Sequence, residues 1–175
     1  SRVISKFHKP LIIPELGINH NGSLETAFKI VDAAHRAGAE IIKHQTHIPY
    51  DEMSEEAKKI KPGNSNKNIF DIISRCSLSE EQEYKLYKYV NKKKMIFLST
   101  PFSKLAVDRL VKFGVKAFKI GSGEMNNYPL VEYICKFKKP MILSTGMHSI
   151  QNVKKVVKFL KNKQSKFAIM HTTNL

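Results

Sequence analysis

Cysteine is scarce in this sequence, with two residues among 175, Cys76 and Cys135. Both lie in segments with helical spacing, a pattern that indicates neither a disulfide framework nor a zinc-binding pair. Free thiols fit a reducing compartment, so we expect a cytoplasmic protein. Long apolar runs are also missing: no stretch is long enough to span a bilayer, and residues 1–10 lack the apolar core of a signal peptide. We therefore expect no membrane partner.

Arginine is also rare: four of the 30 basic residues are arginines, although 15 acidic residues leave a formal charge of +15. Arginine is the preferred reader of guanine edges and of planar phosphate contacts, so its scarcity argues against nucleic acid as a partner. The lysines are spread along predicted helices, as between Lys85 and Lys94, rather than interleaved with aromatic residues. We expect them to form a solvated outer surface with a modest attraction for anionic substrates.

Short apolar segments are present, and segments with helical spacing separate them. The predicted strands cover residues 11–17, 39–46, 95–101, 141–146 and 167–173, and a further strand opens the stretch 117–127. Continuous apolar strands that alternate with helices predict a parallel sheet buried on both faces. A long polar segment at 49–68 is predicted to be a functional loop.

A repeated strand ending indicates the architecture. The segments LSTPFS from Leu98 and LSTGMHS from Leu143 end two strands in the same way, which favours a closed (βα)8 TIM barrel over an open doubly wound sheet. A full barrel has eight strands and about 250 residues, whereas six strands are visible here. We therefore expect a truncated TIM barrel, with an N-terminal arm at residues 1–10, a partial catalytic domain at 11–175, and the remaining strands beyond Leu175.

Polar side chains collect at the carboxyl ends of the predicted strands, where the active sites of such barrels lie. They are Glu15, Lys43, Gln45, Ser99, Thr100, Lys119, Ser122, Glu124, Ser144, Thr145, His171, Thr172 and Asn174. Capping of the next helix would account for one or two of them, such as Ser99. It does not account for two lysines and two carboxylates, which we expect to face one another across the barrel mouth.

The stretch 117–127, AFKIGSGEMNN, combines these features at one strand end. Gly121, Ser122 and Gly123 leave the backbone bare where the strand stops, beside the ammonium group of Lys119. Bare N–H groups, a hydroxyl and an ammonium are the groups that bind phosphate. The same lysine also suits a Schiff base on this fold. The glycines favour phosphate binding, and borohydride trapping with pyruvate distinguishes the two hypotheses.

Histidines near strand ends are candidate metal ligands. They are His20, His44, His47 and His171. No HxH or HxxxH spacing occurs, so a hydrogen-bonded structural role is the more common one for each. His44 alternates with Lys43 and Gln45 and should point away from the barrel centre. Glu15 has two interpretations as well: it pairs with a mouth lysine, or it takes part in the chemistry.

Six motifs, taken together, resemble the sialic acid synthase family. They are PELGINHNGS from Pro14, AGAEIIKHQTH from Ala37, FLSTPFS from Phe97, KIGSGEMNNYPL from Lys119, KPMILSTGM from Lys139 and HTTN from His171. The pieces at 51–54 and 62–64 are most similar to the bacterial branch that uses unphosphorylated sugars. The resemblance implies condensation of phosphoenolpyruvate with the aldehyde of an N-acetylmannosamine-type sugar, which gives N-acetylneuraminate, or a related nonulosonic acid, and phosphate.

The resemblance also implies roles for the matching residues. Phosphoenolpyruvate would be held by Lys43, Lys119, Ser122 and Asn174. The sugar would be bound by Gln45, Asn64, Thr100 and Glu124. Glu15 would lie at the reacting centre and handle water or a proton. A divalent metal, Mn²⁺ or Mg²⁺, is implied as a Lewis acid with its histidine ligands beyond Leu175. A homodimer is implied for the intact protein, and no turnover is expected from residues 1–175 alone.

Two other functions remain open. Another phosphoenolpyruvate- or aldol-type barrel enzyme, such as a sugar-acid synthase, would differ in its substrate profile with and without metal. A basic binding module without chemistry would bind nucleic acid tightly and in a salt-sensitive manner. That binding would survive Lys43→Ala and Lys119→Ala, because its contacts would lie on the helical exterior. The identity of the acceptor sugar also stays open.

Overall fold

The computed structural model describes residues 3–63 and 65–173, in which six strands form one parallel sheet. The strands are β1 (Glu15–Gly17), β2 (Ile41–Thr46), β3 (Ile96–Pro101), β4 (Phe118–Ile120), β5 (Met141–Ser144) and β6 (Phe167–Met170). Each strand pairs with the next one along the chain, from β1 to β6. A doubly wound sheet would reverse its order at a switch point, whereas this sequential order is that of a barrel segment.

Helices connect the strands. They are α1 (Leu24–Arg36), α2 (Pro49–Glu52), α3 (Ile69–Cys76), α4 (Glu80–Lys92), α5 (Lys104–Phe113), α6 (Tyr128–Cys135) and α7 (Ile150–Asn162). The predicted serine caps form: the Ser23, Ser79 and Ser149 side chains each accept a hydrogen bond from the first turn of their helix. Within the described ranges, every helix is too short or too polar to cross a bilayer.

The five strands predicted with both bounds are all longer than the observed ones, and the difference is largest at the two edge strands. β1 begins at Glu15 rather than Leu11, because Pro14 has no N–H to donate to a neighbour. The Pro14 carbonyl still accepts from the Lys43 amide at 2.9 Å. At the other edge of the sheet β6 ends at Met170, not at residue 173. The polar segment 49–68, predicted as a loop, contains α2 and a short 3-10 helix, both too brief to show a helical period.

The apolar core has two parts because the strands are buried on both faces. The larger part lies between the helices and the outer face of the sheet, where residues such as Ile42, Phe118 and Leu143 are fully buried. The smaller part lies on the inner face and contains Ile41, Leu98 and Ile142. Alternation along each strand therefore sends one set of side chains to the helices and the other toward the barrel interior.

Candidate active site

A cavity of about 430 Å³ opens at the carboxyl ends of the strands. Its lining includes charged and polar residues from five strands, β1 to β5, and from the segment after β6. They are Glu15, Lys43, Gln45, Thr100, Lys119, Ser144, His171, Thr172 and Thr173. We call it the mouth cavity. Ile13, Phe102, Gly121 and Met170 complete its described lining.

Strand alternation sets which side chains reach the mouth cavity. On β2, Lys43 and Gln45 line it, whereas His44 between them is 2% exposed and packs toward the helices. The prediction that His44 points away from the barrel centre is thus confirmed. On β3 the same alternation puts Thr100 in the lining and Ser99 on the outer face. The inclusion of Ser99 among the mouth residues was therefore wrong.

Glu15 and Lys43 form an ion pair at the mouth. The Lys43 ammonium lies 2.8 Å from Oε1 and 2.6 Å from Oε2 of Glu15, so both carboxylate oxygens face it. The Glu15 carboxylate lies over Gly17, which has φ +53°, and a Cβ at Gly17 would meet Oε1 at 2.6 Å. Glycine therefore gives the carboxylate its place beside the lysine.

Lys119 is buried at the cavity wall, with 4% of its surface exposed. Its ammonium donates to the Ile120 carbonyl and to the Ser144 hydroxyl, both at 2.6 Å. Burial and the neighbouring Lys43 charge lower the Lys119 pKa to about 8, although Glu15 opposes this shift. A buried ammonium whose hydrogen-bond partners among the described residues are neutral oxygens is suited to bind an anion, because an anion would offset the cost of its desolvation.

The turn after β4 lies at the same end of the sheet. Its residue Gly121 lines the mouth cavity. Ser122 and Glu124 belong to a short 3-10 helix that follows. The Ser122 hydroxyl accepts from the Gly146 amide at 3.1 Å, and the Glu124 carboxylate accepts from Asn127 Nδ2 at 2.6 Å. The structure thus ties both side chains to neighbouring segments, and neither is among the described residues that line the mouth cavity. Of the two lysines and two carboxylates expected to face one another there, Lys43, Lys119 and Glu15 converge on the cavity and Glu124 does not. The predicted ligands Asn64 and Asn174 lie outside the described residues.

A buried polar cluster lies behind β2, on the helix side of the sheet. Glu83 of α4 is 1% exposed and accepts hydrogen bonds from Thr46 and, at 3.0 Å, from Arg109. His44 Nδ1 lies 3.4 Å from its carboxylate. Burial opposes ionisation of Glu83, but its contacts with His44, Thr46 and Arg109 outweigh burial and lower its pKa. This cluster fastens β2 to α4 and α5.

The sequence did not indicate Glu83 as a special residue. It lies among exposed glutamates in a highly charged helix, so its charge looked like part of a solvated surface. Its burial follows from helical spacing, since Glu83 shares the inward face with Leu86 and Val90. That spacing is the signal that could have identified it.

The histidines have structural contacts, as expected for most of them. His20 is 1% exposed, its Nδ1 accepts from the Gly22 amide, and burial lowers its pKa to about 4. His47 contacts Gln45 and Glu52. Across residues 3–63 and 65–173, no group of three or more His, Cys, Asp or Glu side chains could hold a metal ion. These residues therefore do not form a metal site by themselves.

A larger cavity, of about 570 Å³, lies at the opposite ends of β2 and β3. Its described lining is mostly surface residues such as His35, Lys94 and Lys116, and its Lys93 is already paired with Asp32 at 2.7 Å. The mouth cavity is smaller, but it is where buried and paired charges converge. We therefore take the mouth cavity as the candidate active site.

Comparison with known proteins identifies similar chains. The NeuB family model matches residues 30–175. N,N'-diacetyllegionaminic acid synthase from Campylobacter jejuni is 35% identical over 94% of this chain and 52% of its own length. Pseudaminic acid synthase from the same species is 34% identical over 90% of this chain and 47% of its own length. The chain spans about half the length of these curated relatives.

A solved structure shares the fold. The crystal structure of N-acetylneuraminic acid (sialic acid) synthetase from Leptospira borgpetersenii, in complex with citrate, superposes with a TM-score of 0.82 at 28% identity. The match covers 94% of this chain and 54% of that chain. The sheet order and this superposition confirm the predicted barrel-type fold. The relatives confirm the predicted resemblance to the sialic acid synthases.

Proposed function

The chain belongs to the NeuB family, and from that premise we propose that it is part of a phosphoenolpyruvate-dependent nonulosonic acid synthase. The reaction condenses phosphoenolpyruvate with an N-acetylmannosamine-type sugar and releases phosphate. The observation that carries the proposal is the convergence of Lys43, Lys119 and Glu15 from three strands on one cavity. The names of the relatives at 35% and 34% identity, both nonulosonic acid synthases, support the same reaction class.

Two ammonium groups suit the charges of phosphoenolpyruvate, which carries a phosphate and a carboxylate. In the described part of the chain the buried Lys119 ammonium donates to the neutral oxygens of Ile120 and Ser144, and Lys43 lies beside Glu15 at the cavity wall. In this proposal the two lysines bind the two anionic groups. Ser122 and Asn174 complete the phosphoenolpyruvate site.

Glu15 acts in this proposal as the group that moves a proton or orients water at the reacting carbon. Its side chain is 42% exposed at the mouth, so water can reach it. The enol carbon of phosphoenolpyruvate attacks the sugar aldehyde, and water then adds to the cationic carbon that results. Phosphate leaves by cleavage of the C–O bond. The acceptor sugar is bound by Gln45 and Thr100 in the cavity, by Glu124 at its rim, and by Asn64.

Further features of the intact protein belong to the same proposal. In this proposal the family resemblance implies a divalent metal, Mn²⁺ or Mg²⁺, with its ligands in residues that follow Leu175 in the intact protein. The intact protein is a homodimer, which light scattering would test, and it works in the cytoplasm, consistent with two free cysteines. Its partners are the two substrates, and neither nucleic acid nor a membrane is among them.

The decisive experiment measures phosphate release from phosphoenolpyruvate by the full-length protein, with candidate sugars and Mn²⁺. N-acetylmannosamine and the diacetamido sugars should be compared, since the acceptor is undetermined. We expect turnover with at least one sugar, a loss of at least about 100-fold for Lys119→Ala, and no turnover by residues 1–175. Absence of sugar-dependent phosphate release with every acceptor tested would refute the proposal.

A Schiff-base mechanism is the second candidate, because the lowered Lys119 pKa leaves part of its amine neutral near pH 8. Borohydride reduction in the presence of pyruvate would trap a covalent adduct on Lys119 in that case. We expect no adduct, since at pH 7 the group is mostly the ammonium that binds an anion. An adduct lost in Lys119→Arg would replace the synthase proposal with an aldol-type reaction.

A further inference from the structure

The cavity residue Gln45 is held from behind by a two-residue relay. His47 Nε2 lies 3.1 Å from Gln45 Oε1, and His47 Nδ1 lies 2.8 Å from Glu52 Oε1. The other carboxylate oxygen of Glu52 accepts from the Ile48 amide at 3.1 Å. The one-turn helix α2, which ends at Glu52, thus connects to the mouth cavity through a single chain of hydrogen bonds.

Burial and stacking fix the orientation of the relay. The side chains of His47 and Glu52 are 6% and 5% exposed, respectively. The His47 ring also stacks on Phe102, with the ring centroids 4.2 Å apart and an interplanar angle of 11°. Phe102 itself lines the mouth cavity. The imidazole therefore has little freedom to rotate away from Gln45.

We propose that His47 and Glu52 are positioning residues that set which end of the Gln45 amide faces the acceptor sugar. The proposal rests on the proposed function. A carboxylate only accepts hydrogen bonds, so the contact with Glu52 requires a proton on His47 Nδ1, and Gln45 Oε1 accepts only when Nε2 carries a proton as well. In that doubly protonated ring, which is paired with Glu52, Oε1 is occupied and the NH₂ group of Gln45 remains for the cavity. Gln45 then donates a hydrogen bond, so the sugar atom that it recognises is an oxygen acceptor, either a hydroxyl or the carbonyl of an acetamido group.

This role differs from that of the buried cluster around Glu83. Glu83 contacts the outward-facing residues His44 and Thr46 of β2, so its loss would affect the strand as a whole. The relay instead contacts the tip of one cavity side chain. Its loss should affect the substrate that Gln45 touches and spare the phosphoenolpyruvate side of the cavity, where Lys119 lies.

Steady-state kinetics of the full-length protein test the proposal. His47→Phe keeps the ring that stacks on Phe102 and removes both hydrogen bonds, and Glu52→Gln weakens the relay one step further away. We expect His47→Phe to raise the KM for the sugar about tenfold and to change the KM for phosphoenolpyruvate less than about twofold. Glu55→Gln is the control, because its side chain is 78% exposed and contacts Lys58 instead.

A double-mutant cycle separates positioning from general destabilisation. In a Gln45→Ala background, His47→Phe should change the KM for the sugar by less than about twofold, because the group that it positions is gone. Additive effects, or equal increases in both KM values, would overturn the inference. Circular dichroism compares the fold of every variant with that of wild type. If His47→Phe fails to fold, His47→Gln takes its place in both backgrounds.

A measurement without turnover distinguishes failure of this inference from failure of the proposed function. Selective ¹⁵N labelling of glutamine in the full-length protein reports on the side-chain NH₂ of Gln45, assigned by its loss in Gln45→Ala. We expect two well-separated proton signals that move closer together in His47→Phe as the amide gains rotational freedom. Unchanged signals would refute the relay, whereas a wild type that shows the relay without sugar condensation would refute only the proposed function.

Discussion

Replacing Lys119 by methionine should make the stability of the protein less dependent on pH. In the folded protein this ammonium is 4% exposed, and burial with the Lys43 charge lowers its pKa from 10.5 to about 8. In the unfolded chain the side chain is solvated and titrates near its ordinary pKa. Below pH 8 the Lys119 ammonium is therefore charged in both states, but it is buried in the folded protein and solvated in the unfolded chain. The cost of burying the charge destabilises the folded protein.

The magnitude follows from linkage between titration and folding. A folded-state pKa below the unfolded value means that the unfolded state binds more protons, so stability rises with pH between about 8 and 10.5. Between pH 7 and pH 10 this one group should add about 2.5 kcal/mol to the free energy of unfolding. The hydrogen bonds to Ile120 and Ser144 are also lost in Lys119→Met. Their loss adds a cost that varies little with pH.

Urea unfolding of wild type and Lys119→Met at several pH values measures this effect. The difference in unfolding free energy should shift in favour of wild type by about 2.5 kcal/mol from pH 7 to pH 10. Lys116→Met is a matched control, since Lys116 is exposed three residues earlier on the same segment. Its difference from wild type should stay constant. A constant difference for Lys119→Met as well would refute the reasoning that burial depresses this pKa.

Three further predictions concern other buried or strained positions. Arg109→Met leaves the buried Glu83 carboxylate without its guanidinium partner and should lower the free energy of unfolding by about 3 kcal/mol. The double variant Glu83→Gln/Arg109→Met should recover part of that loss, and a cost of Arg109→Met under about 1 kcal/mol would contradict the prediction. The His20 pKa falls from 6.5 to about 4 on folding, so the unfolded chain binds a proton that the folded protein does not, and the wild type loses stability as the pH falls from 7 to 5. In His20→Phe this loss should be smaller by about 2 kcal/mol. Gly22→Ala should lower the free energy of unfolding by more than about 2 kcal/mol, because the added Cβ would lie 2.4 Å from a carbonyl oxygen of α3. Gly38→Ala is the control: it also has positive φ but adds its Cβ in open space, so it should cost about 1 kcal/mol. Equal costs would show that the contact at Gly22 is unimportant.

The order and type of the elements followed from local patterns. Apolar runs bounded by glycine and polar residues predicted every strand, and the serines before α1, α4 and α7 predicted where those helices begin. The largest errors in strand length lie at the edges of the sheet. There, β1 and β6 are shorter than their apolar runs because pairing, rather than composition, decides where a strand begins and ends.

The sequence by itself determined that Lys43, Gln45 and Lys119 share one face of a parallel sheet, because residues alternate along a strand and parallel strands end at a common edge. It also determined that polar groups lie at that edge. The tertiary structure alone decided which partners they meet: Lys43 pairs with Glu15, Lys119 meets Ser144, and Gln45 is held by His47. The physical reason is that hydrogen bonds and ion pairs depend on distances of about 3 Å between segments far apart in sequence. Strand alternation fixes the direction of a side chain, but only the packed fold fixes those distances.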